Sequence, residues 1–557
     1  MKYSSEKTAQ SLTEILVSKQ IDHIVISPGS RNAPLTTTFY SHPAVKPYSV
    51  VDERSAAFVA LGMIQKIKKP VVACCTSGSA LLNYYPAVSE AFYQNKPLII
   101  ISADRPKEKI DQSFGQTVRQ ENVFKNHIGF SANLVEDSSE KGLRYNERLI
   151  NEALNIAVQK QLPVHINIPF SEPFYGLEKF ISVSPKIIQH SSFDKILNVN
   201  ELENFSKIWN CSKQKMVLIG QLPKTTLFQE QIDHLLKDPS VIILHETTSN
   251  IYHKKAINSI DKIIFSLSDA DFERIKPEIL ITVEKNIISK KIKNFLEKYP
   301  AKYHANINFN GDVIDTFSSL THNFETTPEL FFSQFFYLTK FISSDYQDIW
   351  LNLKQEKQKK HTAFLTQCEF SDLKVFETIL KQLPSDIDLH LSNSSIVRYA
   401  QLFDINSTIE HYCNRGTSGI DGSMSTAIGS AMMTSKQTVF ITGDISFFYD
   451  SNALWNSYTP QNFVIILINN GGGEIFKFIP GPDKTDALKQ YFVTEHSLTA
   501  QYLAQMHGYH YAKVNHLEDL QKQLPAVFLS NQPTLLEIDT RKVENATILK
   551  NYFQFLQ

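Results

Sequence analysis

Val439-Phe-Ile-Thr-Gly-Asp-Ile-Ser446 and, further on, Phe463-Val-Ile-Ile-Leu-Ile-Asn-Asn-Gly-Gly-Gly473 decide how this chain is read. Each is a short apolar run that stops at a turn built from Gly, Asp or Asn. Runs of that length, closed by turn residues, are the pattern of strands buried on both faces of a parallel sheet. Asp444 and Asn470 lie 26 residues apart. That is room for one helix and a return strand, so both side chains can reach the same sheet edge. A carboxylate, an amide oxygen and a backbone carbonyl from the glycine run suit a hard divalent cation, whose other positions phosphate oxygens and water fill. Glycines let the backbone approach a diphosphate closely, and helix N-termini offer it N–H groups. Taken singly, Asp444 is an ordinary helix cap and Asn-Asn-Gly an ordinary turn. Their joint placement at two strand ends favours an ion and a phosphorylated ligand.

The same pattern runs outward from this pair. Apolar runs at 389–391 and 535–538 flank it in the last third, where Gly416, Gly419, Gly422 and Gly429 also gather. In the first third, runs at 21–27, 71–75 and 98–102 lead into Pro28-Gly-Ser30, Thr76-Ser-Gly-Ser79 and Ala103-Asp-Arg-Pro106, and a further run lies at 164–168. The middle carries runs at 216–219, 241–245 and 279–283, but only Gly220 between Gly176 and Gly311. That is too few glycines for a GxGxxG loop around FAD or NAD. The expected fold is α/β, with three doubly wound parallel-sheet domains at 1–185, 186–350 and 351–557, the first and third carrying the chemistry. The polar stretch 354–361 reads as linker or solvated helix.

Composition narrows the class. Of 557 residues, 42% are hydrophobic, ample for a large core, and 56 basic against 57 acidic residues leave a net charge of -1. No positive field is available to hold nucleic acid. No apolar run is long enough to span a bilayer. The N-terminal stretch lacks a signal-peptide core and reads as an amphipathic helix. Five cysteines, without a CxxC pair, argue against a disulfide framework or zinc site and fit a reducing, cytoplasmic setting.

Val50-Val-Asp-Glu-Arg-Ser-Ala-Ala57 places Glu53 just ahead of an Ala-rich helix. By itself this is a first-turn glutamate favoured by the helix dipole. It stands among others in order: Ser27-Pro-Gly-Ser-Arg-Asn-Ala-Pro34, Asp52-Glu-Arg-Ser-Ala56, Thr76-Ser-Gly-Ser-Ala80, Ser102-Ala-Asp-Arg-Pro106 and Asn414-Arg-Gly-Thr-Ser-Gly-Ile-Asp-Gly422. Gly443-Asp-Ile-Ser446, Tyr449-Asp-Ser-Asn-Ala-Leu454 and Asn469-Asn-Gly-Gly-Gly-Glu-Ile-Phe476 follow. Together they resemble the MenD family, the thiamine diphosphate-dependent synthases of menaquinone biosynthesis. The resemblance covers the first and third domains and the middle one only loosely.

The resemblance implies pyrimidine-binding, central and diphosphate-binding domains, thiamine diphosphate with Mg2+ or Mn2+, and a homodimer or homotetramer whose subunits each grip one end of the cofactor. It implies decarboxylation of 2-oxoglutarate and 1,4-addition of the succinyl carbanion to isochorismate. Glu53 resembles the acid that pairs with the aminopyrimidine ring, with Thr76 and Gly78 beside the cofactor. Asp444, Asn470 and the carbonyl of Gly472 resemble the metal ligands, and Ile445, Ser446, Ser394 and Ile475 resemble further cofactor contacts. Ile420 resembles the residue that bends the cofactor, and Ile475 and Phe476 form an apolar wall. Ser394, Arg398 and Arg415 resemble the contacts of the succinyl carboxylate. Ser30, Arg31, Arg105, Gln116 and Lys290, with Lys291 as the alternative to the last, resemble isochorismate contacts. Arginine is the expected partner of such polyanions. Another 2-oxoacid carboligase or decarboxylase of the same cofactor is the competing reading. The absence of adjacent histidines disfavours simple decarboxylases.

Overall fold

Three parallel sheets carry the chain in the computed structural model, which describes residues 2–191, 195–404, 406–479 and 481–557. The first sheet runs Lys46–Ser49, His23–Ile26, Val71–Cys75, Leu98–Asp104, Val164–Pro169, Phe130–Asn133. The third runs Glu410–Tyr412, Asp388–Leu391, Thr438–Gly443, Phe463–Asn469, Thr534–Asp539, His510–Val514. In chain order both read second, first, third, fourth, sixth, fifth. The middle sheet of five strands runs Val241–His245, Lys215–Ile219, Ile279–Val283, Tyr303–Asn308, His322–Glu325. These are the expected doubly wound domains. A short antiparallel ribbon, Tyr3–Ser4 with Leu177–Glu178, ties the N-terminal segment to the end of the first domain, and at two residues a strand it is too short to show as a pattern.

The strands form because β-branched and aliphatic runs are buried on both faces. Ile24, Val72, Ile99 and Ile166 pack on one side of the first sheet, while Val25, Val71, Ala73 and Ile100 pack on the other. In each sheet the winding reverses between the first and third strands, and the crevice beyond their carboxyl ends is where ligands bind in such folds. The turns 27–31 and 76–79 leave those strands in the first domain, and 392–394 and 444–446 leave them in the third. Each therefore brings a residue singled out in the sequence to a switch point: Arg31, Thr76, Ser394 and Asp444.

The first and third domains meet through two helices. Glu53–Ile67 begins where the Asp52 carboxylate accepts the Ser55 N–H at 3.0 Å, and it crosses Ser423–Ala431. A Cβ added to Gly62 would overlap the Thr426 carbonyl oxygen, and one added to Gly429 would overlap that of Val59. The two backbones therefore touch, and glycine alone permits it.

The polar stretch 354–361 is not a linker. It lies within the helix Tyr346–Gln367, which crosses position 350, where the second and third domains were divided. Lys357 and His361 are buried, because Lys357 Nζ donates to the Leu556 carbonyl at 2.8 Å and the His361 ring meets the Tyr552 hydroxyl at 2.7 Å. Polar partners hide this buried face from a hydropathy reading. No helix among the described residues is long and apolar enough to cross a membrane, and all five cysteines are free.

Candidate active site

At the switch point of the third domain, Asp444 opens the helix Asp444–Tyr449 and is buried. Its Oδ1 accepts the Ile445 N–H at 2.7 Å, and its Oδ2 accepts those of Gly471 and Gly472 at 2.7 and 3.0 Å. The pairing depends on the turn after Phe463–Asn469, where Gly471 has φ +84, a backbone that favours glycine. The Gly472 carbonyl accepts the Glu474 N–H at 3.0 Å. Asn470 Nδ2 donates to Asp372 Oδ2 at 2.8 Å, while Asn470 Oδ1 is buried without a partner. Burial raises the Asp372 carboxyl to about 6, against hydrogen bonds from Thr540 and Asn470. Among the described residues no three His, Cys, Asp or Glu side chains cluster to hold a metal ion. A buried carboxylate beside an orphaned amide oxygen nevertheless fits a hard cation that takes its other oxygens from phosphate and water. Ser446 Oγ donates to the Ile420 carbonyl at 2.7 Å, joining this helix to the loop 414–422. Ser394, at φ +68, precedes the helix Ser395–Ala400. Ile475 and Phe476 begin a single turn, and the half-buried Phe476 ring lies 5.7 Å from that of Phe492.

The arginines lie beside it. Arg415 Nη1 donates to Asn393 Oδ1 at 2.7 Å, and its Nε is buried without a partner. Arg398 Nη1 reaches the Ile288 carbonyl only at 3.5 Å. Burial, then the nearby charge of Arg415, pushes the Arg398 guanidinium below its ordinary range. The central domain supports this corner through Glu246, whose carboxylate accepts the N–H of Ile288 at 2.7 Å and that of Ser289 at 2.7 Å. Burial lifts Glu246 to about 7, against those hydrogen bonds. A cavity of about 1100 Å3 between the three domains is lined by Arg415, Gly416, Ser418, Lys285 and Lys293. Lys290 and Lys291 are exposed on the helix Lys290–Lys298, and Lys291 Nζ lies 4.3 Å over the Phe265 ring. Lys293, not singled out in the sequence, faces the cavity. Its pKa is lowered by burial and by Arg415 and Arg398, and raised by Glu246.

A second group forms at the switch point of the first domain. Arg31 is buried, donating to the Phe170 carbonyl at 2.7 Å and Glu172 at 2.9 Å, with its guanidinium 4.7 Å from the Phe174 ring centre. Arg105 lies 3.5 Å from the same Glu172 carboxylate and donates to the Gly115 carbonyl at 3.0 Å. Asp104 does not pair with the Arg105 side chain; it accepts the Arg105 backbone N–H at 2.7 Å. Burial lowers the Arg31 guanidinium, and the charge of Arg105 adds to that. Ser30 and Gln116 are exposed, and the Gln116 carbonyl accepts from Ser77 Oγ at 2.9 Å. Gly78 N–H donates to Gln120 Oε1 at 2.8 Å, and Thr76 Oγ1 is buried without a partner. Burial raises the half-buried Glu53 carboxyl above the usual range. Behind these loops, Ser102 links His165 and Asn167, and Asn167 holds Asp104 at 2.7 Å. Among the described residues no hydrogen bond or ion pair joins this group to Asp444, Asn470, Arg398 or Arg415.

Residues 6–127 match the family model described as thiamine pyrophosphate enzyme, N-terminal TPP binding domain, and residues 394–538 match its C-terminal TPP binding domain counterpart. Proteins named 2-succinyl-5-enolpyruvyl-6-hydroxy-3-cyclohexene-1-carboxylate synthase are 49% identical in Flavobacterium psychrophilum, 48% in Flavobacterium johnsoniae and 36% in Bacteroides thetaiotaomicron, each over 100% of both chains. The chain belongs to this synthase family. The synthase family's fold extends to a more distant protein. The crystal structure of benzoylformate decarboxylase from Polynucleobacter necessarius superposes with a TM-score of 0.74 at 15% identity, over 96% of this chain and 99% of that one. That likeness concerns the fold alone. Several residues of the candidate site escape sequence reading. Asn393 neighbours Ser394 but carries no signal of its own, while Glu172, Gln120 and Glu246 act through partners distant in sequence.

Proposed function

We propose that this chain is the thiamine diphosphate-dependent synthase that decarboxylates 2-oxoglutarate and adds the remaining succinyl unit to isochorismate, making 2-succinyl-5-enolpyruvyl-6-hydroxy-3-cyclohexene-1-carboxylate for menaquinone biosynthesis. The observation that carries the reading is 49% identity along the whole length to a protein of that name. The motif residues at both switch points support it.

Thiamine diphosphate supplies a nucleophilic carbon and an electron sink for the charge left when carbon dioxide departs. Asp444, Asn470 and the Gly472 carbonyl hold Mg2+ or Mn2+, and Ile445, Ser446 and Ser394 line the diphosphate. Glu53, Thr76 and Gly78 take the pyrimidine end, and Ile420 and Ile475 the middle. A raised Glu53 suits an acid that shares a proton with a ring nitrogen. Arg398 and Arg415, with Ser394, neutralise the carboxylates of 2-oxoglutarate.

Arg31 and Arg105 bind isochorismate, with Ser30, Gln116, Lys290 and Phe476 around it. Their present partner Glu172 is 61% exposed, so it contributes little and yields to a dianionic ligand. As in the family the motifs resemble, Glu53 of one copy serves the diphosphate site of another, and the active unit is a homodimer or homotetramer.

The experiment is incubation of the purified protein with thiamine diphosphate, Mg2+, 2-oxoglutarate and isochorismate, read by mass spectrometry. The expected product is the decarboxylated succinyl adduct, absent when cofactor or metal is omitted. Consumption of 2-oxoglutarate with isochorismate untouched would count against the reading and point to another acceptor.

A further inference from the structure

One buried carboxylate of the first domain grips the loop that carries Arg415. Glu90 lies within the helix Tyr85–Tyr93 and is 1% exposed. Its Oε1 accepts the Gly416 N–H at 2.7 Å, and its Oε2 accepts both the N–H and the hydroxyl of Thr417 at 2.6 Å. Gln94 Nε2 donates to Oε1 as well, at 2.5 Å. Every neighbour is a donor, and two of them are backbone groups that cannot reverse. Only an acceptor on both prongs satisfies them, which is what a carboxylate is.

The same loop is held from the other side. Asn393 Nδ2 donates to the carbonyls of Asn414 at 2.7 Å and Gly419 at 2.6 Å, and its Oδ1 takes Arg415 Nη1. Arg415 is thus fixed at its backbone through Glu90 and at its guanidinium through Asn393. Its unpartnered Nε is buried, and the side chain borders the cavity.

We propose that Glu90 is a positioning residue: it sets the backbone at 416–417 so that Arg415 meets the carboxylate of the 2-oxo acid, making a first-domain helix part of the third domain's substrate selection. The proposal rests on the reading of Arg415 as a carboxylate-binding residue. Glu90 borders no ligand in this account, so all of its effect passes through Arg415.

Glu90→Gln keeps the size but turns an NH2 group toward backbone N–H donors. The expected result is a KM for 2-oxoglutarate raised about 10–100-fold, because a displacement near 1 Å is costly at a bound charge. The affinity for Mn2+ with thiamine diphosphate, titrated directly, should stay as in the wild type. In an Arg415→Ala background, Glu90→Gln should add no further loss. Thr417→Val, which deletes only the hydroxyl donor, should act in the same direction and more weakly, and it carries the test if Glu90→Gln does not fold. A loss that adds in full to that of Arg415→Ala, or a lower kcat at unchanged KM, overturns the positioning role. An Arg415→Ala variant with unchanged KM would instead sink the reading of Arg415, and the proposal with it.

Discussion

Asn470 gives its side-chain N–H to Asp372 at 2.8 Å, and that single bond decides which way its amide faces. At neutral pH the Asp372 carboxylate only accepts, so Nδ2 must turn to it and Oδ1 must turn away. Oδ1 is then buried with no donor. Loss of such an orienting partner commonly costs about 10–100-fold in metal affinity. Asp372→Ala is expected to weaken Mn2+ binding to that extent. The check is a titration of free Mn2+ by paramagnetic resonance in the presence of thiamine diphosphate; unchanged binding would contradict the orientation.

Gly62 and Gly429 let the helices that join the first and third domains touch at their backbones. Gly429→Ala sets a methyl group against the Val59 carbonyl and must push the helices apart. Overpacking of this kind costs about 1–3 kcal/mol. A thermal unfolding midpoint lower by about 1–3 °C is expected for a chain of this size, and an unchanged midpoint would show that the crossing is looser than described.

Arg105 shares Glu172 with Arg31, and among the described residues no hydrogen bond or ion pair joins either arginine to Arg415. Arg105→Ala should raise the KM for isochorismate roughly tenfold, about 1.4 kcal/mol, and leave that for 2-oxoglutarate alone. Initial-rate measurements with each substrate varied in turn decide it. A matching change for 2-oxoglutarate would merge the two binding regions.

His165 is buried, and burial lowers its pKa to about 3. The unfolded chain binds a proton below about pH 6.5 while the folded one stays neutral, so stability falls with pH from that point down to about 3. Each unit below 6.5 costs about 1.4 kcal/mol. Between pH 8 and pH 5 the wild type should lose about 2 kcal/mol relative to His165→Gln, which keeps a donor for Ser102. Urea unfolding at the two pH values measures the difference; parallel pH dependence would mean that His165 titrates normally.

The strand ends were legible because chain reversal and ligand approach both demand Gly, Ser, Asn and Asp at fixed places. Asp444 and Thr76 sit at switch points, and Asn470 at the end of the strand beside one, for that reason. Glu90 was not legible: it occupies an ordinary helical position, and its donors lie on residues 416 and 417. Lys293 was not legible because Lys290, Lys291 and Lys293 share one short helix, and only the nearby charges of Glu246 and Arg415 set it apart. At 354–361 the helix was legible but its buried side was not, because the burial of Lys357 and His361 is satisfied by a carbonyl and a phenol rather than by apolar contacts.

The most direct measurement is the ratio of carbon dioxide released from 2-oxoglutarate to isochorismate consumed, with thiamine diphosphate and Mg2+ present. A ratio of one, with both processes lost in Glu53→Gln, is what this account predicts. Carbon dioxide released without isochorismate loss, or turnover that survives without thiamine diphosphate, would contradict it.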